Sequence, residues 1–304
     1  MLNEKRQAAV IGGGVMGADI GVVFASGGWS VHIVEPSGRT RETLAQRIQS
    51  GMEKLKAKGE GGFFIASKME EIPWEEIEIA VEAVPEKLEI KQEVFAKMEE
   101  LSRAGIPLTS NSSGFPISEI GKELKTRSRM LGLHFFMPAH LAPLVEVVCS
   151  EATDPRLAED VCSLMKRLGK KPVLVKKDIP GFLANRIQHA LMREALSLVE
   201  RGIATPQDVD DAVRYGFGFR YIAAGPLRQK DLTGLDTQYS AGVTIYPDLC
   251  NDSSPSPYLR EKVAAGYLGI KTKKGFYDWT DQRVAEFKED YENALLKALE
   301  IMRE

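Results

Sequence analysis

The 304-residue chain is 43% hydrophobic and 27% charged with a net charge of −3, the balance of an ordinary globular protein with room for two cores. That charge gives no general attraction to nucleic acid or an anionic membrane, and no run is long and apolar enough to span a bilayer. Three scattered cysteines (Cys149, Cys162, Cys250) make neither a disulfide framework nor a zinc cluster, so a reducing cytoplasm is expected.

In chain order, Lys5 and Arg6 precede an apolar stretch that superficially resembles a signal peptide, but Gly12, Gly13, Gly14, Gly17, Asp19 and Gly21 interrupt it. Short apolar runs then predict strands at 8–11, 30–34, 63–66, 77–83, 108–110, 130–134, 144–148 and 173–175. Helical patterns at 16–26, 40–58, 87–101 and 155–168 lie between many of them. Such alternation implies βαβ units and a mostly parallel sheet. After Lys177 the patterns become mainly helical, at 182–201, 206–215, 227–246, 256–265 and 281–302. The expected organisation is an α/β Rossmann-like dinucleotide-binding domain, residues 1–178, followed by an all-α C-terminal domain, residues 179–304.

Gly12-x-Gly14-x-x-Gly17 follows the first strand and opens a helix. The first glycine permits a tight turn, the second lets backbone approach a pyrophosphate, and the third lets helix and strand pack closely. Gly12, Gly14, Val15, Met16 and Gly17 are the expected phosphate-binding stretch, with helix-start amides facing the anion. Glu35 ends the next strand, where an acid binds ribose hydroxyls and repels a 2′-phosphate; this favours NAD over NADP, with Ser37 and Arg39 close enough to keep NADP as a minor alternative.

Oxidising an alcohol with NAD requires a base for the hydroxyl proton, and histidine suits that task near neutral pH. Taken alone, His134 reads as a satisfied core histidine and Glu146 as half of a structural ion pair. Glu146, however, is a single acid among Leu144, Val145, Val147 and Val148, and a buried carboxylate requires a partner. His134 is the candidate partner, giving a base oriented by an acid. On chemistry alone Ser113 and Asn185 are equally read as caps.

The set GxGxxG, SNSSG (110–114), GLHFFMP (132–138) with PLVEVV (143–148), DIPGFLANRI (178–187) and LGIKTKKGFYDW (268–279) resembles the 3-hydroxyacyl-CoA dehydrogenase family over essentially the whole chain. The resemblance implies that the helical domain dimerises, that His134 is the general base with Glu146 behind it, and that Ser113 and Asn185 hold the reacting oxygen and help place the nicotinamide. It also implies cofactor contacts at Glu86 and Lys91, and L (S) stereochemistry.

Three departures concern the substrate. Met137 stands where the acyl-CoA members usually carry Asn, and a thioether lacks the amide's donor and acceptor. The segment after Glu35 is shorter than the CoA-holding hairpin, although Lys54, Lys56 and Lys58 form a basic stripe, more simply a solvated helix face. The run Gly216–Pro226 (GFGFRYIAAGP) resembles the gulonate dehydrogenase (lambda-crystallin) branch, where Arg220 would clamp a carboxylate; a surface or dimer-interface ion pair is the alternative reading. Ser113–Ile117 with Pro138-x-His140 also resembles dehydrogenases of small pyridine carboxylates, His140 facing either the substrate or a loop surface. The expectation is therefore an NAD-dependent dehydrogenase of a small free hydroxy-carboxylate, with an L-3-hydroxyacyl-CoA as the alternative substrate. A non-catalytic dinucleotide-binding or structural protein is the remaining alternative, disfavoured by the presence of both His134 and Glu146.

Overall fold

Runs of β-branched and small apolar residues bounded by glycine and proline form eight strands in a single sheet. The computed structural model describes residues 6–55 and 61–302. Strands β1 (Gln7–Ile11), β2 (Ser30–Val34), β3 (Phe63–Ala66), β4 (Ile77–Glu82), β5 (Leu108–Ser110), β6 (Met130–Phe135), β7 (Leu144–Val148) and β8 (Lys171–Val175) lie in the order β3-β2-β1-β4-β5-β6-β7-β8. Helices α1 (Val15–Ser26), α2 (Gly38–Lys54), α3 (Leu88–Leu101), the short α4 (Ile117–Ile120) and α5 (Pro155–Arg167) connect them. All neighbours are parallel except β6 and β7, which run antiparallel with His134 opposite Glu146. That one antiparallel pair allows the short β6–β7 connection and puts the two side chains on one face.

The sheet separates two hydrophobic layers. One packs α1, α2 and α5 on Val10, Val31, Ile33, Val81, Leu133 and Val147; the other packs α3 and α4 on Ala9, Ile77, Ala80, Leu108 and Met130. Strand order reverses between β1 and β4, which opens a crevice at the carboxyl ends of the strands, where a dinucleotide binds in such folds.

The first compact unit runs to Arg186, past residue 178. The extension has a physical cause: Phe182 is buried in the core under the sheet, and Glu146 takes the amides of Leu183 and Ala184. The second unit, Ile187–Glu304, is helical. It contains most of α6 (Ala184–Glu200), then α7 (Pro206–Asp211), a π-helical stretch at Ala212–Phe217, α8 (Gly218–Arg220), α9 (Pro226–Thr233), α10 (Leu235–Ile245), α11 (Pro257–Ala264) and α12 (Asp281–Met302). Two expected helices are subdivided. The segment 227–246 breaks at Gly234, whose φ of 92° no α-helix accommodates, and 206–215 passes into the π-helix. The end of the expected helix 40–58, with Lys56 and Lys58, lies outside the described residues.

Candidate active site

The glycine turn between β1 and α1 has three kinds of constraint. Gly12 has φ +108°, and a Cβ there would lie 2.6 Å from the Ala83 carbonyl oxygen. A Cβ on Gly17 would lie 1.8 Å from the Gly12 carbonyl oxygen. Around Gly14 a Cβ would meet nothing within 4 Å, so this glycine faces open space rather than packing. Gly14 also starts α1 without a side-chain cap, leaving the amides at the helix head free to hold an anion. Val15 is exposed at that head and Met16 half-buried. The Glu35 carboxylate is pinned by the amides of Gly13 (2.9 Å) and Ser37 (2.8 Å), and Arg41 donates to the carbonyls of Glu35 and Pro36. An open glycine cradle, an uncapped helix start and a fixed acid at the end of β2 fit the pyrophosphate and ribose of NAD.

At the carboxyl ends of β4 and β5 the loop Ser110–Gly114 rests on charged side chains. Glu86 accepts from the Ser112 hydroxyl (2.6 Å) and the Gly114 amide (3.1 Å). Burial alone would raise its carboxyl; Ser112, Lys91 and Gly114 outweigh that and hold it below the ordinary carboxylate range. Lys91 is 1% exposed, and its ammonium meets both Glu82 (2.9 Å) and Glu86 (3.0 Å). Glu82, which sequence reasoning passed over, is fully buried. An acid closing a strand of Ile, Ala and Val (Ile77–Glu82) was the available signal.

His134 Nδ1 lies 2.8 Å from Glu146 Oε2. The other carboxylate oxygen accepts from the amides of Leu183 (3.1 Å) and Ala184 (2.8 Å) at the start of α6. Burial pushes the Glu146 carboxyl up, but the His134 bond and the two amides prevail and keep it below its ordinary value. An ionised carboxylate on Nδ1 selects the tautomer with its proton there, leaving Nε2 as acceptor. No hydrogen bond among the described residues occupies Nε2, while Phe136 (4.5 Å) and Phe182 (5.8 Å) flank the ring. Asn185 donates to the Ser113 carbonyl (3.4 Å), and Asn111 in the same loop accepts from the Phe135 amide (2.9 Å), beside His134. These bonds bring together His134, Glu146, Ser113 and Asn185.

Residues 7–179 match the 3-hydroxyacyl-CoA dehydrogenase NAD binding domain, and residues 181–279 match the C-terminal domain of 3-hydroxyacyl-CoA dehydrogenase. The chain belongs to the 3-hydroxyacyl-CoA dehydrogenase family. As a member it is an NAD-dependent dehydrogenase acting on CH–OH groups. It is 31% identical to the 5-formyl-3-hydroxy-2-methylpyridine 4-carboxylate 5-dehydrogenase of Mesorhizobium japonicum, over 98% of each chain. A solved structure of a 5-dehydrogenase of that pyridine acid, described as an NAD+-dependent dismutase, superposes with a TM-score of 0.92 at 30% identity, covering 98% of this chain and 99% of the other. The 3-hydroxyacyl-CoA dehydrogenase of Archaeoglobus fulgidus gives 0.69 at 31% identity, covering 97% and 99%.

Against the family pattern, Met137 is 69% exposed, so the thioether replacing the usual amide is on the surface of the β6–β7 connection. His140 is not on a loop surface. Its side chain is 9% exposed, with Nδ1 3.3 Å from Asp19 Oδ1 but outside hydrogen-bonding geometry, and both ring nitrogens are buried. Asp19 Oδ2 accepts from the Ala139 amide, and Lys170 donates to the carbonyls of Ala139 and Ala142, so this connection is fastened from two sides. Arg220, on α8 of the second unit, is exposed and forms no ion pair among the described residues.

Proposed function

We propose that this enzyme oxidises a small free hydroxy-carboxylate, or reduces the matching carbonyl acid, with His134 as the acid–base group. The observation that carries the reading is the His134–Glu146 pair at 2.8 Å, with Nε2 left over at the carboxyl end of β6. His134 Nε2 removes the hydroxyl proton as hydride leaves the carbon. NAD supplies the hydride acceptor, held by Gly12, Gly14, Val15, Met16, Gly17 and Glu35. Glu146 stabilises the imidazolium through Nδ1 and stays ionised itself. The Ser113 hydroxyl and the Asn185 amide hold the reacting oxygen. Glu86 and Lys91 act at the cofactor from beneath the Ser113 loop. The fixed Glu35 carboxylate opposes a 2′-phosphate, which supports NAD over NADP.

Arg220, which forms no ion pair among the described residues and is able to grip a carboxylate with two parallel hydrogen bonds, is assigned to the substrate's acid group. The likeness over nearly full length to a dehydrogenase whose name joins a formyl group to a ring carboxylate supports a free acid. The test is NADH formation from free 3-hydroxybutyrate, gulonate and aromatic hydroxymethyl acids beside 3-hydroxybutyryl-CoA, with wild type and Arg220→Ala. Turnover of a free acid, with KM raised at least tenfold in the variant, is expected. Turnover confined to the CoA ester and indifferent to Arg220 would show an acyl-CoA enzyme instead.

The enzyme is further assigned as a homodimer through its helical unit. Among the described residues of that unit only Leu196, Gly242 and Val284 are buried, while Leu227 (83%), Leu232 (87%) and Tyr239 (76%) are largely exposed. A second copy of the same helical unit supplies a matching apolar face by two-fold symmetry. A cytoplasmic setting agrees with three free cysteines, none of them in a disulfide. No helix among the described residues is long and apolar enough to cross a membrane.

A further inference from the structure

One turn into the cofactor helix, an acid meets a histidine that the mechanism above does not use. Asp19 lies on α1 five residues past Gly14, about 7.5 Å along the helix axis from the pyrophosphate cradle. Its Oδ2 accepts from the Ala139 amide (3.0 Å) in the β6–β7 connection, and its Oδ1 lies 3.3 Å from His140 Nδ1. Lys170, between α5 and β8, donates to the carbonyls of Ala139 (2.6 Å), Ala142 (2.9 Å) and His140 (3.4 Å). The connection itself, residues 136–143, holds no other titratable side chain.

His140 is buried with its hydrogen bonds unmade. Its side chain is 9% exposed, and neither ring nitrogen has a hydrogen-bond partner among the described residues. A buried polar group in that state destabilises the fold. The contact with Asp19 has the distance of an ion pair without the direction of a hydrogen bond, so a turn of the imidazole completes it. Neutral imidazole has one N–H donor and imidazolium has two, so an added proton puts a donor on Nδ1 whichever tautomer was present. The proton also changes the local charge. Asp19 beside neutral imidazole is one negative charge, and Asp19 beside imidazolium is none, with Lys170 common to both states.

We propose that Asp19 and His140 are a proton-linked positioning pair for the dinucleotide, in which a proton on the imidazole cancels the Asp19 charge and strengthens the hold of α1 on the pyrophosphate. The inference rests on the NAD site described above. A pyrophosphate at the head of α1 brings two negative charges, and the Asp19 carboxylate on the same helix opposes them. Its side chain is 16% exposed, so that opposition is screened less than a surface charge would be. A proton taken from solvent onto His140 removes the opposition, and by linkage the bound pyrophosphate draws the proton on. The pair acts through α1 and through the Ala139 amide, which ties the segment after His134 to that helix.

The test is the dissociation constant of ADP-ribose across the range in which histidines change charge, about pH 6 to pH 8. Calorimetry in two buffers of different ionisation heat also counts the protons taken up. ADP-ribose carries the pyrophosphate without nicotinamide, so His134 has no cationic ring to repel. Wild type and His134→Gln are expected to bind about threefold or more tightly at the acid end, with net proton uptake. Asp19→Asn keeps an acceptor for the Ala139 amide but no charge, and should bind at every pH at least as tightly as wild type at the acid end. His140→Gln cannot take the proton, and should bind at every pH as weakly as wild type at the alkaline end. Should His140→Gln fail to fold, the tight, pH-independent binding of Asp19→Asn carries the test. Wild-type affinity independent of pH, a dependence that survives both substitutions or vanishes in His134→Gln, or weaker binding by both variants alike would overturn the proposal. Wild-type protein that binds no ADP-ribose at any pH would instead overturn the placement of the cofactor itself.

Discussion

Every hydrogen bond that the Glu146 carboxylate accepts among the described residues comes from His134 or the segment leading into α6. Replacing it with Gln would put an amide against His134 Nδ1, and an amide nitrogen there favours the tautomer with its proton on Nε2, blocking the base. Glu146→Gln is expected to lower kcat by about 10²- to 10⁴-fold with NAD+ affinity unchanged. The carboxyl is held below its ordinary value, so its contribution to stability is complete above the unfolded carboxylate range and is lost as pH falls through the folded value. A melting-temperature series against pH should therefore show a smaller acid-side decline in the variant. His134 and Glu146 were legible as a pair because one acid stood in an apolar strand. Glu82 and Lys91 were harder, since the pattern marks a strand end but does not reveal which helical lysine reaches it from α3. The loop-surface reading of His140 failed for the same reason: a motif shows where a residue falls in the chain, but burial against Asp19 depends on how the β6–β7 connection folds back over α1.

The turn between β1 and α1 makes different demands at each glycine. Gly17→Ala forces a Cβ to 1.8 Å from backbone, which cannot be relieved by rotating a side chain. A loss of about 3 kcal/mol or more in denaturant unfolding is expected, at or above the usual range for overpacking. Gly14→Ala meets no protein atom and should unfold like wild type within about 0.5 kcal/mol, yet bind NAD+ more weakly because its methyl enters the pyrophosphate cradle. Equal destabilisation by both substitutions would contradict this division. At this scale strands were the most readable elements, since 30–34, 63–66, 108–110 and 144–148 are apolar runs ended by polar or turn residues. The helices of the second half were less so. Hydrophobic spacing continues across Gly234 and into the π-helix, so periodicity does not reveal the positive φ or the altered hydrogen bonding.

The two units differ in how they are stabilised. The first buries continuous layers on both faces of its sheet, whereas the second leaves large side chains on α9 and α10 in solvent. Light scattering should give a mass twice the 33.6 kDa of one chain. Leu232→Glu in α9 should shift it toward the monomer and lower the melting temperature, and a wild-type monomer would count against the proposed interface. Amphipathic spacing made these helices recognisable; which apolar face meets a second molecule depends on tertiary placement, which periodicity does not encode.

The acid–base role of His134 is tested most directly by NADH formation from a turned-over hydroxy acid, with NAD+ affinity measured on the same samples, for wild type and His134→Gln. A fall in kcat of about 10²-fold or more at unchanged NAD+ affinity is the predicted result. Turnover within a few-fold of wild type would show that another group removes the proton.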